Sequence, residues 1–510
     1  MSEEKENIVI KFAGDSGDGM QLTGTQFTNN TALYGNDFTT FPNYPAEIRA
    51  PQGTIHGVSG FQINFGSYDI HSPGDEYDVL VAMNAAAIKD SLKSLKKGGI
   101  VIADKAGFDT KNLRLAGYNP NENLLENDVF APYKLITLDI TEQTILALEN
   151  IDIEPKEKLR SKNMFVLGLL LWIYNRDLDS VLNFIDKKFK NNIKEANEIA
   201  LKSGYYYGET AELFAFKTTI KPIEKEKGVY RNIMGNQATA YGLMAAAANA
   251  NLPLFYGSYP ITPASDILHE LSKHTKEGGN VSCFQAEDEI AAVSAAIGAS
   301  FGGALGTTGT SGPGLALKSE AINLDLMLEL PLVVVDVQRA GPSTGMPTKT
   351  EQSDLLFAMY GRNGDSPLPI ISAHSPSNCF QQVYWASKIA VEYMTPVIFL
   401  SDGYLANGSE PWKIQQLEDL PKINLQKNVE QDENTFLPYK RNENLVRDWV
   451  VPGTEGKAHR IGGLEKEYNT GNVSYVPENH QLMTDIRQQK VANVQKILPK
   501  QELNSGVDKG

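Results

Sequence analysis

The sequence predicts an α/β fold assembled from more than one unit around parallel sheets. Three observations carry this. Apolar runs of strand length alternate with longer helical stretches, the βαβ rhythm of a parallel sheet. Several of those runs lead straight into glycine-rich loops, at the strand ends where parallel sheets place their ligands. And 510 residues are too many for one ordinary domain, so two to four are expected.

Residues 7–204 read as the first unit. Ile8 to Phe12 is a strand that runs into "AGDSGDGMQLTG". "DVLVAMN" and "GGIVIAD" are further buried strands, with a helix through "AAIKDSLKSLKKG" between them, and "KNMFVLGLLLWIY" (162–174) is a buried helix. The composition then turns lysine-rich, "KTTIKPIEKEKG", and 205–230 is assigned as a linker. A second unit, 231–365, opens with the alanine-dense helix "MGNQATAYGLMAAAANAN" and continues through strand-like "LPLFYGSY", the Ala/Gly-rich "EDEIAAVSAAIGASFGGA", "LGTTGTSGPG" and the strongly apolar "ELPLVVVDV". From 366 to about 430, "SPLPIISAHS", "QQVYWASKIAVEY" and "TPVIFLSDG" give one more β–α–β unit. Beyond about 415 the periodicity fades. Residues 431–510 hold one helix near "MTDIRQQKVANVQKIL" and read either as a docking arm or as a solvated tail.

Composition narrows the function classes. The chain is 41% hydrophobic and 21% charged, as in ordinary globular proteins. With 47 basic and 62 acidic side chains its net charge is −15, against a nucleic-acid or anionic-membrane surface. The acidic start "MSEEKENIVIKF" has no signal-peptide character, and the longest apolar run is too short to cross a bilayer, so a cytoplasmic protein is expected. Two cysteines, Cys283 and Cys379, give neither a disulfide framework nor the four thiolates of an iron–sulfur cluster.

Four motifs carry chemistry. In "YPITP" Thr262 stands between Pro260 and Pro263, which restrict their own backbone and that of the residues before them. "EDE" (287–289) opens a nearly uncharged helix, where acids suit the helix dipole and a partly buried carboxyl can also hold a proton near neutral pH. "TSGPG" (310–314) is a tight loop that lets a ligand approach backbone. "QRAGPSTGMPT" (338–348) places Arg339 directly after a buried strand, poised for a carboxylate or for a structural ion pair. A fifth loop, "GDSGDG" (14–19), has the position of a phosphate loop. It lacks the GxGxxG spacing and the GK[ST] ending, however, and Asp15 and Asp18 repel anions; a structural turn and a ligand loop both stay open.

"YPITP", "EDEIAAVSAAIGAS", "TSGPG" and "QRAGPSTGMPT…EQSDL", in this order, resemble the α subunit of 2-oxoacid:ferredoxin oxidoreductases, enzymes that use thiamine diphosphate (TPP). The N-terminal half resembles their γ subunit, fused ahead of α, as in the 2-oxoglutarate enzymes. The resemblance implies a γ-type α/β domain, a pyrimidine-binding TPP domain and a transketolase C-terminal-like α/β domain. It assigns Glu289 as the carboxylate that hydrogen-bonds the cofactor's ring nitrogen N1′ and favours the imino tautomer. It places Ser311 and Gly312, with Tyr259, Pro260 and Ile261, around the cofactor, and Thr262 and Arg339 on the substrate carboxylate. The implied reaction is oxidative decarboxylation of 2-oxoglutarate with coenzyme A (CoA) to succinyl-CoA, CO2 and reduced ferredoxin, or the reverse.

No diphosphate–magnesium "GDG…N" site is recognisable in the second half. The resemblance therefore implies a β subunit that brings Mg2+ and a [4Fe-4S] cluster and shares the TPP site, in a dimer of αβ heterodimers. On the CoA side it points to Gly17, Gly19 and Arg49. Pyruvate or branched-chain 2-oxoacids are the rival substrates, and a non-catalytic scaffold keeping the fold is the rival of another class.

Overall fold

The computed structural model describes residues 2–45, 50–211, 217–275, 280–425 and 436–500. Two six-stranded sheets organise the chain. The first contains β1 (Asn7–Asp15), β2 (Asp37–Asn43), β3 (Val58–Gly66), β4 (Tyr77–Ala82), β5 (Leu95–Asp104) and β6 (Lys134–Leu138), in the order β2-β3-β1-β4-β5-β6. From β1 to β6 its neighbours run parallel, as the βαβ reading expects, whereas β2 and β3 form an antiparallel edge. That edge escapes the sequence reading because glycine, asparagine and glutamine interrupt "VSGFQINFG", although every residue of β3 is buried. Helices α1 (Met20–Leu33), α2 (Lys162–Ile173) and α3 (Asn191–Thr210) cover this sheet, and α2 is apolar nearly all round because it lies inside the core.

The second sheet holds β7 (Leu254–Ser258), β8 (Val281–Gln285), β9 (Leu305–Thr310), β10 (Leu332–Gln338), β11 (Ile370–Ser372) and β12 (Pro396–Asp402), in the order β8-β7-β9-β10-β12-β11, parallel throughout. Parallel sheets are covered on both faces, which is why β10 and β12 are wholly buried and read as strongly apolar runs. The packed helices are α4 (Gly235–Asn249), α5 (Ser265–His274), α6 (Glu289–Phe301), α7 (Gly312–Leu328) and α8 (Asn378–Tyr393).

Three expected boundaries change. Residues 205–210, assigned to the linker, finish α3. Of the rest, Lys217–Thr219 pairs with Ser2–Glu4, and Lys225 forms a 2.6 Å ion pair with Asp37, so this stretch is fastened to the first unit. The unit expected from 366 does not stand apart: β11 and β12 complete the second sheet and share its core. The strand Ser409–Lys413 then returns to pair with Tyr230–Met234.

The polar tail packs on the chain itself. Arg447, buried, donates to the carbonyls of Leu328 and Glu329 at 3.2 Å each, and Trp449 Nε1 donates to the Ser300 carbonyl at 3.1 Å. Helix α9 (Pro477–Asn493) brings Lys490 to 2.5 Å from the buried Glu329 carboxylate, which Arg441 also contacts. Burial alone would raise the pKa of Glu329, but Arg441 and Lys490 outweigh it and hold it far below the usual carboxylate range. No helix among the described residues is long and apolar enough to cross a membrane.

Candidate active site

All four motifs meet at the C-terminal edge of the second sheet. Register brings this about: Ser258 lies opposite Gly309, Thr310 opposite Asp336, and Gln338 opposite Asp402, so the strands end level and their loops open on one side. "YPITP" follows β7, "TSGPG" joins β9 to α7, and Arg339 follows β10.

Glu289 is the first residue of α6 and is buried. Asp288 caps that helix by accepting from the Ala291 N–H at 2.7 Å, which leaves the Glu289 carboxyl free of capping duty. The glutamate stem lies on the glycine loop: a Cβ on Gly314 would come within 2.8 Å of Glu289 Cγ. Gly312 is closely packed in the same way, since its Cβ would sit 2.7 Å from Asp354 Oδ2. Arg339 Nη1 donates to the Thr262 carbonyl at 2.8 Å, tying the arginine loop to "YPITP". Burial lowers the arginine's pKa and Glu289 opposes that, so these two side chains sense each other's charge.

Several polar atoms here are buried and unpaired among the described residues. They are Ser311 Oγ, Arg339 Nε and Asp354 Oδ2. Buried polar groups without partners are costly in a folded chain, so this concentration beside a loop that two glycines let pack closely is what a bound polar ring would satisfy. The residues therefore fit an aminopyrimidine: Glu289 for a ring nitrogen, and Ser311 with Gly312 along its edge.

Thr262 is exposed, its carbonyl taken by Arg339, and its hydroxyl and N–H have no partner among the described residues. It lines a cleft of about 390 Å3 between the two units, with Ser16, Tyr44 and Pro45 on one wall and Ser265, Thr348 and Lys349 on the other. Lys349 Nζ donates to Asn43 Oδ1 at 2.8 Å and to the Tyr44 carbonyl at 3.1 Å, and Thr348 donates to the Pro45 carbonyl at 3.0 Å, so the wall is braced. Tyr259 and Pro260 face outward and Ile261 is half-buried.

The "GDSGDG" loop satisfies itself. Asp18 Oδ2 accepts from the Asp15 N–H at 2.8 Å, both Asp15 oxygens accept from the Gly53 N–H at 3.0 Å, and Lys162 lies 2.7 Å from Asp18. Gly19 takes the left-handed φ of 72° that closes the turn into α1. Gly17 lines a separate cavity of about 450 Å3, with Lys156, Arg160 and Lys162 among its walls. Arg49 lies outside the described residues.

Sequence reasoning passes over two buried charges. Lys318, on α7, is fully buried, and its position four residues after Gly314 puts it on the same helix face. Asp336 interrupts "VVVDV"; burial first, then Asp354, pushes its pKa well above the usual range. The available signal was a charge inside an apolar run for Asp336, and a lysine on the Gly314 face of its helix for Lys318.

Comparison with known proteins fits this geometry. Residues 246–474 match the family model for the thiamine diphosphate-binding region of pyruvate flavodoxin/ferredoxin oxidoreductases, and residues 9–207 match the pyruvate ferredoxin/flavodoxin oxidoreductase model. Fold and site thus define a TPP-binding chain with a γ-type domain fused ahead of it. The chain belongs to the 2-oxoacid:ferredoxin oxidoreductase family, as an α subunit. It is 54% identical to the 2-oxoglutarate oxidoreductase subunit KorA of Mycobacterium tuberculosis, over 96% of this chain and 74% of that one. The α subunit of a Sulfolobus 2-oxoacid:ferredoxin oxidoreductase is 27% identical over 96% of this chain and 79% of its own. Among solved structures, the 2-oxoglutarate:ferredoxin oxidoreductase of Magnetococcus marinus, with 2-oxoglutarate, coenzyme A and succinyl-CoA bound, superposes with a TM-score of 0.83 at 29% identity, covering 97% of this chain and 80% of that one.

Proposed function

We propose that this chain is the α subunit of a cytoplasmic 2-oxoglutarate:ferredoxin oxidoreductase. The enzyme converts 2-oxoglutarate and CoA to succinyl-CoA and CO2, and two electrons leave singly to ferredoxin. The observation that carries the reading is the meeting of Glu289, the TSGPG cradle and the Arg339–Thr262 contact at one sheet edge. When bound, TPP supplies the electron sink for decarboxylation. The protein's own residues do the rest. Glu289 holds or returns a proton at the pyrimidine nitrogen. Ser311 and Gly312 line that ring, with Tyr259, Pro260 and Ile261 on the outward side. Arg339 and Thr262 hold the substrate carboxylate until it leaves as CO2.

The outward exposure of Tyr259 and Pro260 supports a site completed by a β subunit, which brings Mg2+ and a [4Fe-4S] cluster, with two αβ pairs assembling together. CoA enters along the Thr262 cleft, whose far wall includes Ser16 of the GDSGDG loop beside Gly17 and Gly19, and the family resemblance adds Arg49 as a candidate for the same ligand. The test is a substrate panel on the chain co-purified with its β partner. Viologen or ferredoxin reduction that requires CoA and is fastest with 2-oxoglutarate is expected. Preference for pyruvate would move the reading to the rival substrate, and inactivity with every 2-oxoacid would overturn it.

A further inference from the structure

Lys318 is buried where a lysine is expensive. Its ammonium has no carboxylate within ion-pair distance among the described residues. Instead Nζ donates to the Glu289 carbonyl at 2.8 Å and to Thr308 Oγ1 at 3.0 Å, leaving one N–H without a protein acceptor. The Glu289 carbonyl belongs to the first turn of α6 and has its own ladder N–H four residues on, so the lysine is not repairing an open helix end. An apolar side chain would fill this site without a desolvated charge.

Three elements face Glu289. Lys318 comes from α7, Arg339 from the loop after β10, and the TSGPG loop brings Gly314 against the glutamate stem, with Asp354 across Gly312. Asp288 shares the glutamate's own turn. Burial lowers the lysine's pKa to about 8, while Glu289 and then Asp288 hold it up.

We propose that Lys318 is a positioning residue for Glu289, clamping its turn against β9 and the glycine loop through the Glu289 carbonyl and Thr308 and bringing a buried cation within range of the Glu289 charge, so that the carboxyl is held where the cofactor's ring nitrogen would meet it. This rests on the role given to Glu289 above.

The test is Lys318→Met in the chain co-purified with its β partner. Removing a nearby cation should raise the acidic limb of the kcat/KM profile by about one pH unit and lower kcat near the foot of that limb about tenfold. The KM for the 2-oxoacid should change little. The near-ultraviolet circular dichroism of bound TPP, which reports the protonation of its aminopyrimidine, should shift as well. A lower melting temperature with limb and dichroism unmoved would show a merely structural lysine and overturn the proposal. If Lys318→Met fails to fold, Thr308→Val removes one of the two acceptors. It should move the limb in the same direction by a smaller amount, and a wild-type limb there would overturn the proposal equally. Glu289→Gln separates the two levels: if it keeps full turnover, the site assignment itself fails, whereas an inactive Glu289→Gln beside an unchanged Lys318→Met removes only the role of Lys318.

Discussion

GDSGDG and TSGPG both leave the C-terminal end of a buried strand and turn into a helix, yet they treat their polar groups in opposite ways. In GDSGDG each acid has a partner within the fold: Asp18 takes the Asp15 N–H and Lys162, and Asp15 takes the Gly53 N–H. Around TSGPG, Ser311 Oγ, Arg339 Nε and an Asp354 oxygen stay buried and unpaired among the described residues. Glycine spacing alone does not separate a structural turn from a ligand cradle. What separates them is whether the neighbouring polar atoms find partners inside the chain.

Substitutions can break or sharpen that contrast. The largest effect is expected at Glu289. Glu289→Gln keeps the shape and removes the proton acceptor, so kcat in the assembled enzyme should fall roughly 10²–10⁴-fold while calorimetry still shows TPP binding. Near-normal turnover would strip Glu289 of its role. Next comes Arg339→Ala: losing one charge-assisted contact should cost about ten- to a hundredfold in kcat/KM for the 2-oxoacid. An unchanged value would make Arg339 a brace for the Thr262 loop and nothing more. On the self-satisfied side, Asp15→Ala leaves the Gly53 N–H unpaired and should lower unfolding stability by about 1–3 kcal/mol. A KM for CoA that rises tenfold with no loss of stability would reassign GDSGDG to the ligand.

The smallest effect concerns pH. Asp336 has its folded-state pKa raised, by burial and then by Asp354. Its favourable contribution is therefore complete below the unfolded carboxyl pKa and is lost as pH rises toward the folded value. Asp336→Asn cannot ionise, so its melting temperature should gain on wild type between pH 5 and pH 8. Parallel curves for the two proteins would mean that Asp336 is already ionised.

Much of this was legible in the sequence because it rests on local pattern. Strands β10 and β12 are strongly apolar runs, α2 is apolar over most of its length, and the four motifs stand in a fixed order. What was missed depends on register or on distant partners. Nothing local says that β11 and β12 add to the sheet begun at β7, since parallel pairing skips over α8. Nothing local says that "VSGFQINFG" is buried, because its glycines and amides are covered by neighbouring strands. Lys318 was visible only as a lysine just after "LAL", with Glu320 two residues on. Its meaning appears once α7 lies against α6 and Gly314 marks the shared face. The tail left a docking arm and a solvated tail both open because its buried residues are charged, and their partners, Glu329 and the carbonyls beside it, lie more than a hundred residues earlier.

That tail grips two helices from behind. Trp449 holds the Ser300 carbonyl near the last turn of α6, and Arg441, Arg447 and Lys490 close on Glu329 just beyond the last turn of α7. The opposite ends of the same two rods present Glu289 and the TSGPG cradle. Rods pinned at the rear recoil less at the tip. A stretch of sequence that looks trimmable is thus the anchorage for the reacting end of the molecule, and shortening the chain before residue 436 would leave a buried glutamate without its cations and both tips without their backstop.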